Sequence, residues 1–153
     1  MSLAHYRTLG RSGLRVSPLC LGTMTFGEDW GWGSTVAESE AILTRYLERG
    51  GNFIDTANGY TKGHSEVIIG DYFARTAGRR HRAVIATKFS TNLYPGDPNA
   101  GGAGRKGIVE ACEDELDRIE TKVPTHTKEE RLKSKRERSS VKQFRQNRNS
   151  FDD

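Results

Sequence analysis

The chain has 153 residues, of which 34% are hydrophobic and 29% charged, a length that fits one ordinary domain and fractions that are typical of a soluble protein. The net charge of +4 comes from the carboxyl end, because residues 1–118 hold 14 basic and 14 acidic side chains whereas residues 119–153 hold 10 and 6. No apolar run approaches the roughly 20 residues that cross a bilayer, and no leader-like segment opens the chain, so we expect no membrane partner and a cytoplasmic location.

The first elements along the chain are predicted to be a hairpin, a strand and a loop. Residues 6–9 and 14–16 flank a Gly-rich turn, which is typical of a β-hairpin. The apolar run at 19–24 predicts a buried strand. In the Gly-rich loop that follows, Trp30 and Trp32 either wall an apolar ligand site or pack the loop onto its own domain.

Two helices are predicted next. Apolar residues recur at helical spacing from 36 to 49, with Ser34 or Thr35 as the N-cap and Gly50 as the stop. A second helix begins near Ser65 and ends near Gly78 on the same pattern.

Two further strands end on polar side chains. The apolar pair Phe53 and Ile54 is followed by Asp55 and, in the loop beyond it, by Tyr60. The strand at 83–87 ends on Lys88, and the first strand ends on the turn formed by Gly22, Thr23 and Met24. Because ligands bind at the carboxyl ends of parallel strands, these side chains are expected to share one rim.

A third helix is predicted after the Gly- and Pro-rich loop at 94–104. Its apolar stripe consists of Ile108, Cys112, Leu116 and Ile119. The alternation of strands and helices predicts a parallel sheet, either doubly wound or closed as a β/α barrel. The glycines at 102–107 match a dinucleotide fingerprint, but a long loop separates them from the preceding strand, so we interpret them as a loop.

The cysteines and the end of the chain complete the pattern. Cys20 and Cys112 lack partners at metal-ligand spacing and are predicted to be buried, reduced thiols. Residues 121–153 form a basic, low-complexity tail that is predicted to be disordered, which leaves residues 1–120 as the folded domain. The tail lacks regular aromatic interleaving and contains acids, so nucleic acid is not an expected partner.

Four stretches, in this order and spacing, resemble the amino-terminal part of the aldo-keto reductase family, of the aryl-alcohol dehydrogenase-like type. They are Leu9–Ser17, Leu21–Met24, Phe53–Tyr60 and Ala86–Lys88. The resemblance extends over roughly residues 5 to 118 and favours the barrel. It implies an α/β fold that is a partial (β/α)8 TIM barrel, with about three βα units after an N-terminal β-hairpin.

The resemblance also implies roles for the rim. Tyr60 would donate the proton to a substrate carbonyl, Lys88 would lower the pKa of Tyr60, and Asp55 would pair with Lys88. A lysine about 4 Å from a phenol stabilises the phenolate by roughly 4 kcal/mol in a partly screened site. Singly, each of these residues is more typical of a turn or a surface charge. The residues implied to lie against the cofactor, NADP(H), are Gly22, Thr23, Met24 and Asp55.

The sequence departs from the family after residue 121. Residues 122–126 replace the apolar fourth strand, which in the family carries a histidine, and His126 is not a convincing substitute. We therefore expect a reductase of small-molecule aldehydes and ketones that is truncated and weak or inactive alone. The alternative is a non-catalytic remnant that associates with itself or with a complete relative through open sheet edges.

Overall fold

The computed structural model describes residues 2–76, 78–92 and 94–119. In these ranges no helix is long and apolar enough to cross a membrane. The predicted disordered tail at 121–153 lies outside the described residues, so the domain boundary at residue 120 stays a prediction.

The described strands form a hairpin and a parallel sheet. In the hairpin, β1 (Arg7–Thr8) pairs antiparallel with β2 (Arg15–Val16). The sheet has the order β3 (Leu21–Gly22), β4 (Phe53–Asp55) and β5 (Val84–Ala86), with both pairings parallel. This confirms the predicted hairpin and the parallel α/β arrangement.

Three helices connect and follow the strands of the sheet: α1 (Val36–Glu48), α2 (His64–Arg75) and α3 (Arg105–Ile119). Thr35 is the N-cap of α1, and it forms a reciprocal capping box in which Thr35 Oγ1 accepts from the Glu38 amide and the Glu38 carboxylate accepts from the Thr35 amide. Of the two caps expected from the sequence, the structure therefore uses Thr35.

The core lies between the sheet and the first two helices. Ile54 of β4 is fully buried against Leu43 of α1 and against apolar side chains of α2. Tyr72 and Phe73 make an edge-to-face contact with ring centroids 5.4 Å apart. Burying these side chains supplies roughly 1.5–3 kcal/mol each. The buried hydrophobic residues of this cluster are Phe26, Leu43, Ile54, Ile68, Ile69, Tyr72, Phe73 and Ala83.

The third helix turns a different face to the core from the one predicted. It buries Gly107, Glu115 and Ile119, whereas Cys112 and Leu116 are exposed. The predicted apolar stripe is wrong for those two residues. The helix α3 docks on α2 at Gly70 and through the hydrogen bond between Arg118 and Glu66, and not through the predicted row of apolar side chains.

Both cysteines are free and exposed, so the prediction that they are buried was wrong. Cys20 immediately precedes the two-residue strand β3, which has one neighbour in the described sheet and leaves its flank open. Cys112 lies on the outward face of α3.

Candidate active site

The three parallel strands bring the predicted rim together. Gly22 of β3 lies opposite Asp55, and Asp55 lies opposite Ala86 of β5. The ladder continues past the strands, because the Thr56 amide donates to Ala86 O at 2.8 Å and the Asn58 amide donates to Lys88 O at 2.9 Å. Lys88 is thereby fixed beside the segment that carries Asp55 and Tyr60.

Lys88 is the centre of the site. Its ammonium Nζ donates to Asp55 Oδ2 at 2.6 Å, to the Thr56 carbonyl at 3.0 Å and to the Tyr60 hydroxyl at 3.1 Å. These three bonds use the three N–H groups that an ammonium has. Burial lowers the pKa of Lys88, but the hydrogen bonds to Asp55 and Tyr60 outweigh it and hold the pKa above its ordinary value. Lys88 is therefore a cation held against a phenol.

Tyr60 is held by a tight corner of backbone. It opens the 3₁₀ turn Tyr60–Gly63, in which Thr61 and Lys62 adopt left-handed angles with φ of 46° and 58°. Such angles are uncommon for residues with a Cβ and cost of order 1–3 kcal/mol each. Thr61 is fully buried and offsets this cost, because its hydroxyl donates to the Phe26 carbonyl at 2.7 Å and accepts from the Ser65 amide at 3.0 Å.

The first-strand turn presents two of its three residues to the rim. Gly22 is exposed, and a Cβ built on it would meet no atom within 4 Å. Met24 is also exposed. Thr23 is fully buried instead, and its hydroxyl is bonded to Asp55 O and Ser65 Oγ, at 3.0 and 2.9 Å. A ligand on this rim would therefore contact Gly22 and Met24, while the Thr23 side chain holds the strand ends together.

The loop after β3 is attached to the Tyr60 corner by a hydrogen bond between Asp29 and His64. Asp29 Oδ2 lies 2.6 Å from His64 Nδ1, and this hydrogen bond lowers the pKa of Asp29. Trp30 and Trp32 are both exposed on this loop, with ring centroids 5.4 Å apart. The sequence alone does not link Asp29 with His64, because their proximity depends on how the loop meets the start of α2.

Glu66 is a second residue that sequence analysis missed. It is fully buried, and its carboxylate is bonded to Thr87, the residue before Lys88. A signal was present, since Ile69 and Phe73 lie three and seven residues farther along α2 and place Glu66 on the apolar face of the helix.

Other features of the described ranges lie away from the rim or are absent. A cavity of about 490 Å³ lies between the hairpin and the end of α1, lined in part by Tyr6, Arg15 and Arg82, and none of the rim residues borders it. In residues 2–76, 78–92 and 94–119, no group of three or more His, Cys, Asp or Glu side chains could hold a metal ion.

The fold and the site define an α/β protein with a Tyr–Lys–Asp group at the carboxyl ends of parallel strands. The sequence profile of the aldo/keto reductase family matches residues 18–147. The chain belongs to the aldo/keto reductase family.

Curated relatives and solved structures match part of their own length. Norsolorinic acid reductase B of Aspergillus parasiticus is 40% identical over 128 residues, which cover 78% of this chain and 33% of the relative. An aryl-alcohol dehydrogenase of Pestalotiopsis microspora is 38% identical over 127 residues, with the same two shares. A crystal structure of an aldo-keto reductase of Pseudomonas aeruginosa superposes with a TM-score of 0.63 and 31% identity, covering 78% of this chain and 44% of that one. The chain thus spans about a third of the length of these curated relatives.

Proposed function

We propose that the chain takes part in NADP(H)-dependent reduction of a carbonyl group to an alcohol, with Tyr60 as the general acid. The observation that carries this proposal is the single ammonium of Lys88 that contacts both the Asp55 carboxylate, at 2.6 Å, and the Tyr60 hydroxyl, at 3.1 Å. Membership of the aldo/keto reductase family supports an oxidoreductase activity, and the activity of the whole protein is part of the proposal.

The geometry suits proton transfer to a carbonyl oxygen. As the carbonyl carbon gains a hydride, negative charge develops on its oxygen, and the Tyr60 O–H is the group of this site that can supply the proton. The phenolate left behind faces Lys88, whose positive charge stabilises it without any rearrangement. Asp55 keeps Lys88 charged and oriented through the whole step.

The exposed rim fits the nicotinamide end of the cofactor. Gly22 and Met24 form an open shelf at the end of β3, beside Asp55, where a flat ring can approach the backbone. When bound there, a reduced nicotinamide supplies the hydride that the side chains of this site cannot. NADP(H) in preference to NAD(H) is proposed from the family resemblance.

An aromatic carbonyl compound is the proposed substrate. The exposed indoles of Trp30 and Trp32 lie on a loop that the Asp29–His64 pair ties to the start of α2, next to the Tyr60 turn. Such surfaces bind planar apolar molecules. The names of the relatives, a norsolorinic acid reductase and an aryl-alcohol dehydrogenase, support this substrate class. We also propose that the protein is cytoplasmic, as the sequence predicts.

Cofactor binding and turnover test the proposal together. The purified chain is titrated with NADPH and with NADH while nicotinamide fluorescence is followed, and turnover of an aromatic aldehyde is then measured. Saturable binding that is tighter for NADPH, with turnover that falls about 10²–10⁴-fold in Tyr60→Phe, is the expected result. Tyr6→Phe, on the hairpin, is the matched control and should keep the wild-type rate. A folded chain that binds neither dinucleotide, or a Tyr60→Phe variant with the wild-type rate, would contradict the proposal.

The second candidate function is association with another copy of the chain without catalysis. It is favoured by the outward face of α3, where Val109 is 47% and Leu116 is 53% exposed. Sheet edges are a second possible contact, since β3 and β5 each pair with a single strand in the described sheet.

A further inference from the structure

We propose that Glu66 is a positioning residue for Lys88, acting through Thr87. This inference rests on the proposed function, and it assigns to a buried carboxylate of α2 the task of fixing where β5 delivers its lysine. The Thr87 hydroxyl donates to Glu66 Oε1 at 2.6 Å, and Thr87 is the residue immediately before Lys88.

Glu66 is suited to this task because it is buried and its charge is compensated. None of its surface is exposed, and its second oxygen, Oε2, accepts from Arg118 Nε of α3 at 2.8 Å. A buried carboxylate without partners would be strongly destabilising, so Glu66 must keep both of its bonds in the folded state. Keeping both bonds confines the carboxylate to one position. Arg118 therefore fixes the carboxylate, and the carboxylate fixes Thr87.

The first turn of α2 also holds the other side of the lysine site. Ser65 Oγ lies 3.2 Å from Thr56 Oγ1, and the carbonyl of Thr56 is one of the three acceptors of Lys88. Ser65 thus contacts Thr56, which accepts from Lys88, and its neighbour Glu66 contacts Thr87, which precedes Lys88. The backbone on both sides of the Lys88 ammonium is tied to a single helical turn.

This arrangement matters because the three bonds of Lys88 fall between 2.6 and 3.1 Å. A shift of β5 by about 1 Å would break or lengthen at least one of them, and displacements of this size cost up to about 10²-fold in rate when they misplace reacting groups. Without the Glu66 bond, the Thr87 side chain would be free to turn, and this end of β5 would be held by its backbone hydrogen bonds to Thr56 and Asn58 without the support of α2.

A merely structural role for Glu66 would lower stability without changing the environment of Lys88. The distinguishing measurement is the pKa of Lys88, followed by the NMR signal of its side-chain Cε in the full chain, since this readout does not need turnover. Thr87→Val removes the hydroxyl and keeps the shape of the side chain, whereas Thr87→Ser keeps the hydroxyl. Thr44→Val is the matched control, because it removes a hydroxyl contact of 3.0 Å with Tyr72 at a distance from the rim.

The pKa of Lys88 is expected to fall in Thr87→Val and in Glu66→Gln. It is expected to keep its wild-type value in Thr87→Ser and in Thr44→Val. Turnover is expected to fall about tenfold in Thr87→Val relative to Thr87→Ser. A pKa of Lys88 that is unchanged in Thr87→Val, or that falls equally in Thr44→Val, would overturn the proposal. Failure of the reductase proposal gives a different result, an inactive wild-type chain in which Thr87→Val still shifts the pKa of Lys88.

Discussion

Lys88 donates its three N–H groups to acceptors that all lie in one short segment, Asp55 to Tyr60. The parallel pairing of β4 with β5 brings the lysine to that segment. Within the described residues, the Tyr–Lys–Asp group therefore lies in the single βαβ unit formed by β4, α2 and β5.

Removing the charge of Asp55 should weaken the hold on Lys88. In Asp55→Asn the burial of Lys88 remains while its strongest partner becomes neutral, so the pKa of Lys88 should fall. The lysine then loses its proton at lower pH, and the alkaline limb of the pH–rate profile should move to lower pH, with turnover reduced about tenfold or more. Asp97→Asn, in an exposed loop, is the control and should leave the profile unchanged. An alkaline limb at the wild-type position in Asp55→Asn would contradict this role.

The sequence predicted the residues of this group because Asp55 and Lys88 follow apolar strand segments and Tyr60 lies in the loop just beyond Asp55. Parallel strands end at one edge, so Asp55 and Lys88 could be placed side by side from their positions alone. The direction of the Thr23 side chain could not be predicted, since it depends on a hydrogen bond to Ser65, 42 residues later. The left-handed angles of Thr61 and Lys62 were equally hidden, because neither residue type favours them.

At the scale of the elements, the contact between α2 and α3 is polar and pH-sensitive. Burial raises the pKa of Glu115 to about 7, and the nearby carboxylate of Glu66 adds to the rise, while Arg118 opposes it and Asp114 adds a smaller increase. Glu115 Oε1 has no hydrogen-bond partner among the described residues. The protonated acid is therefore the form that this contact favours.

Stability should consequently fall as pH rises through this range. The folded-state pKa of Glu115 lies above its unfolded value of 4.5, so the folded state binds more protons between about pH 4.5 and 7. The free energy of unfolding should drop by about 1–3 kcal/mol across that window through this residue. Urea unfolding at pH 5 and pH 8 measures the drop, which should shrink in Glu115→Gln. Glu110→Gln, in an exposed pair with Lys106, should keep the wild-type drop; an equal reduction in both variants would rule out Glu115 as the source.

Gly70 makes the close approach of α2 to α3 possible. A Cβ at this position would lie 2.0 Å from the Arg118 carbonyl oxygen. Alanine in a helix normally stabilises by up to about 1 kcal/mol relative to glycine, but here Gly70→Ala should destabilise the fold by about 1–3 kcal/mol through the clash. Urea unfolding gives the sign. Ala74→Gly, at an exposed position of α2, calibrates the helix propensity, and a more stable Gly70→Ala variant would show that the helices do not meet in this way.

For the helices, the sequence predicts their presence but not which face each one buries. The existence and type of all three followed from the spacing of apolar residues and from cap signals such as Thr35. The face that α3 buries did not, because Gly107 and Glu115 are not apolar and because α3 meets α2 at Gly70 and through the pair of Glu66 and Arg118. A pattern of hydrophobicity cannot predict a contact that depends on a glycine and on an ion pair between two residues that are 52 positions apart in the sequence.

At the scale of the whole molecule, the described residues contain three parallel strands and their helices, and the chain spans about a third of the curated relatives it matches. The contacts among Tyr60, Lys88 and Asp55 all lie within this part of the chain, and Gly22 and Met24 are exposed beside them. Within the described residues, β3 and β5 each pair with a single strand, and the outward face of α3 exposes Val109 and Leu116.

A second copy of the chain is the partner that we predict for this face. Val109 and Leu116 are exposed on α3, and replacing both by lysine should leave the fold intact because neither side chain is in the core. The wild-type chain should sediment as a dimer or larger species at high concentration, because joining two such faces buries apolar surface. The Val109→Lys, Leu116→Lys double variant should sediment as a monomer at the same concentration, since burying two lysines from each copy is costly. Leu14→Lys, an exposed apolar position on the hairpin, should still associate, and a wild-type chain that is monomeric at every concentration would exclude this interface.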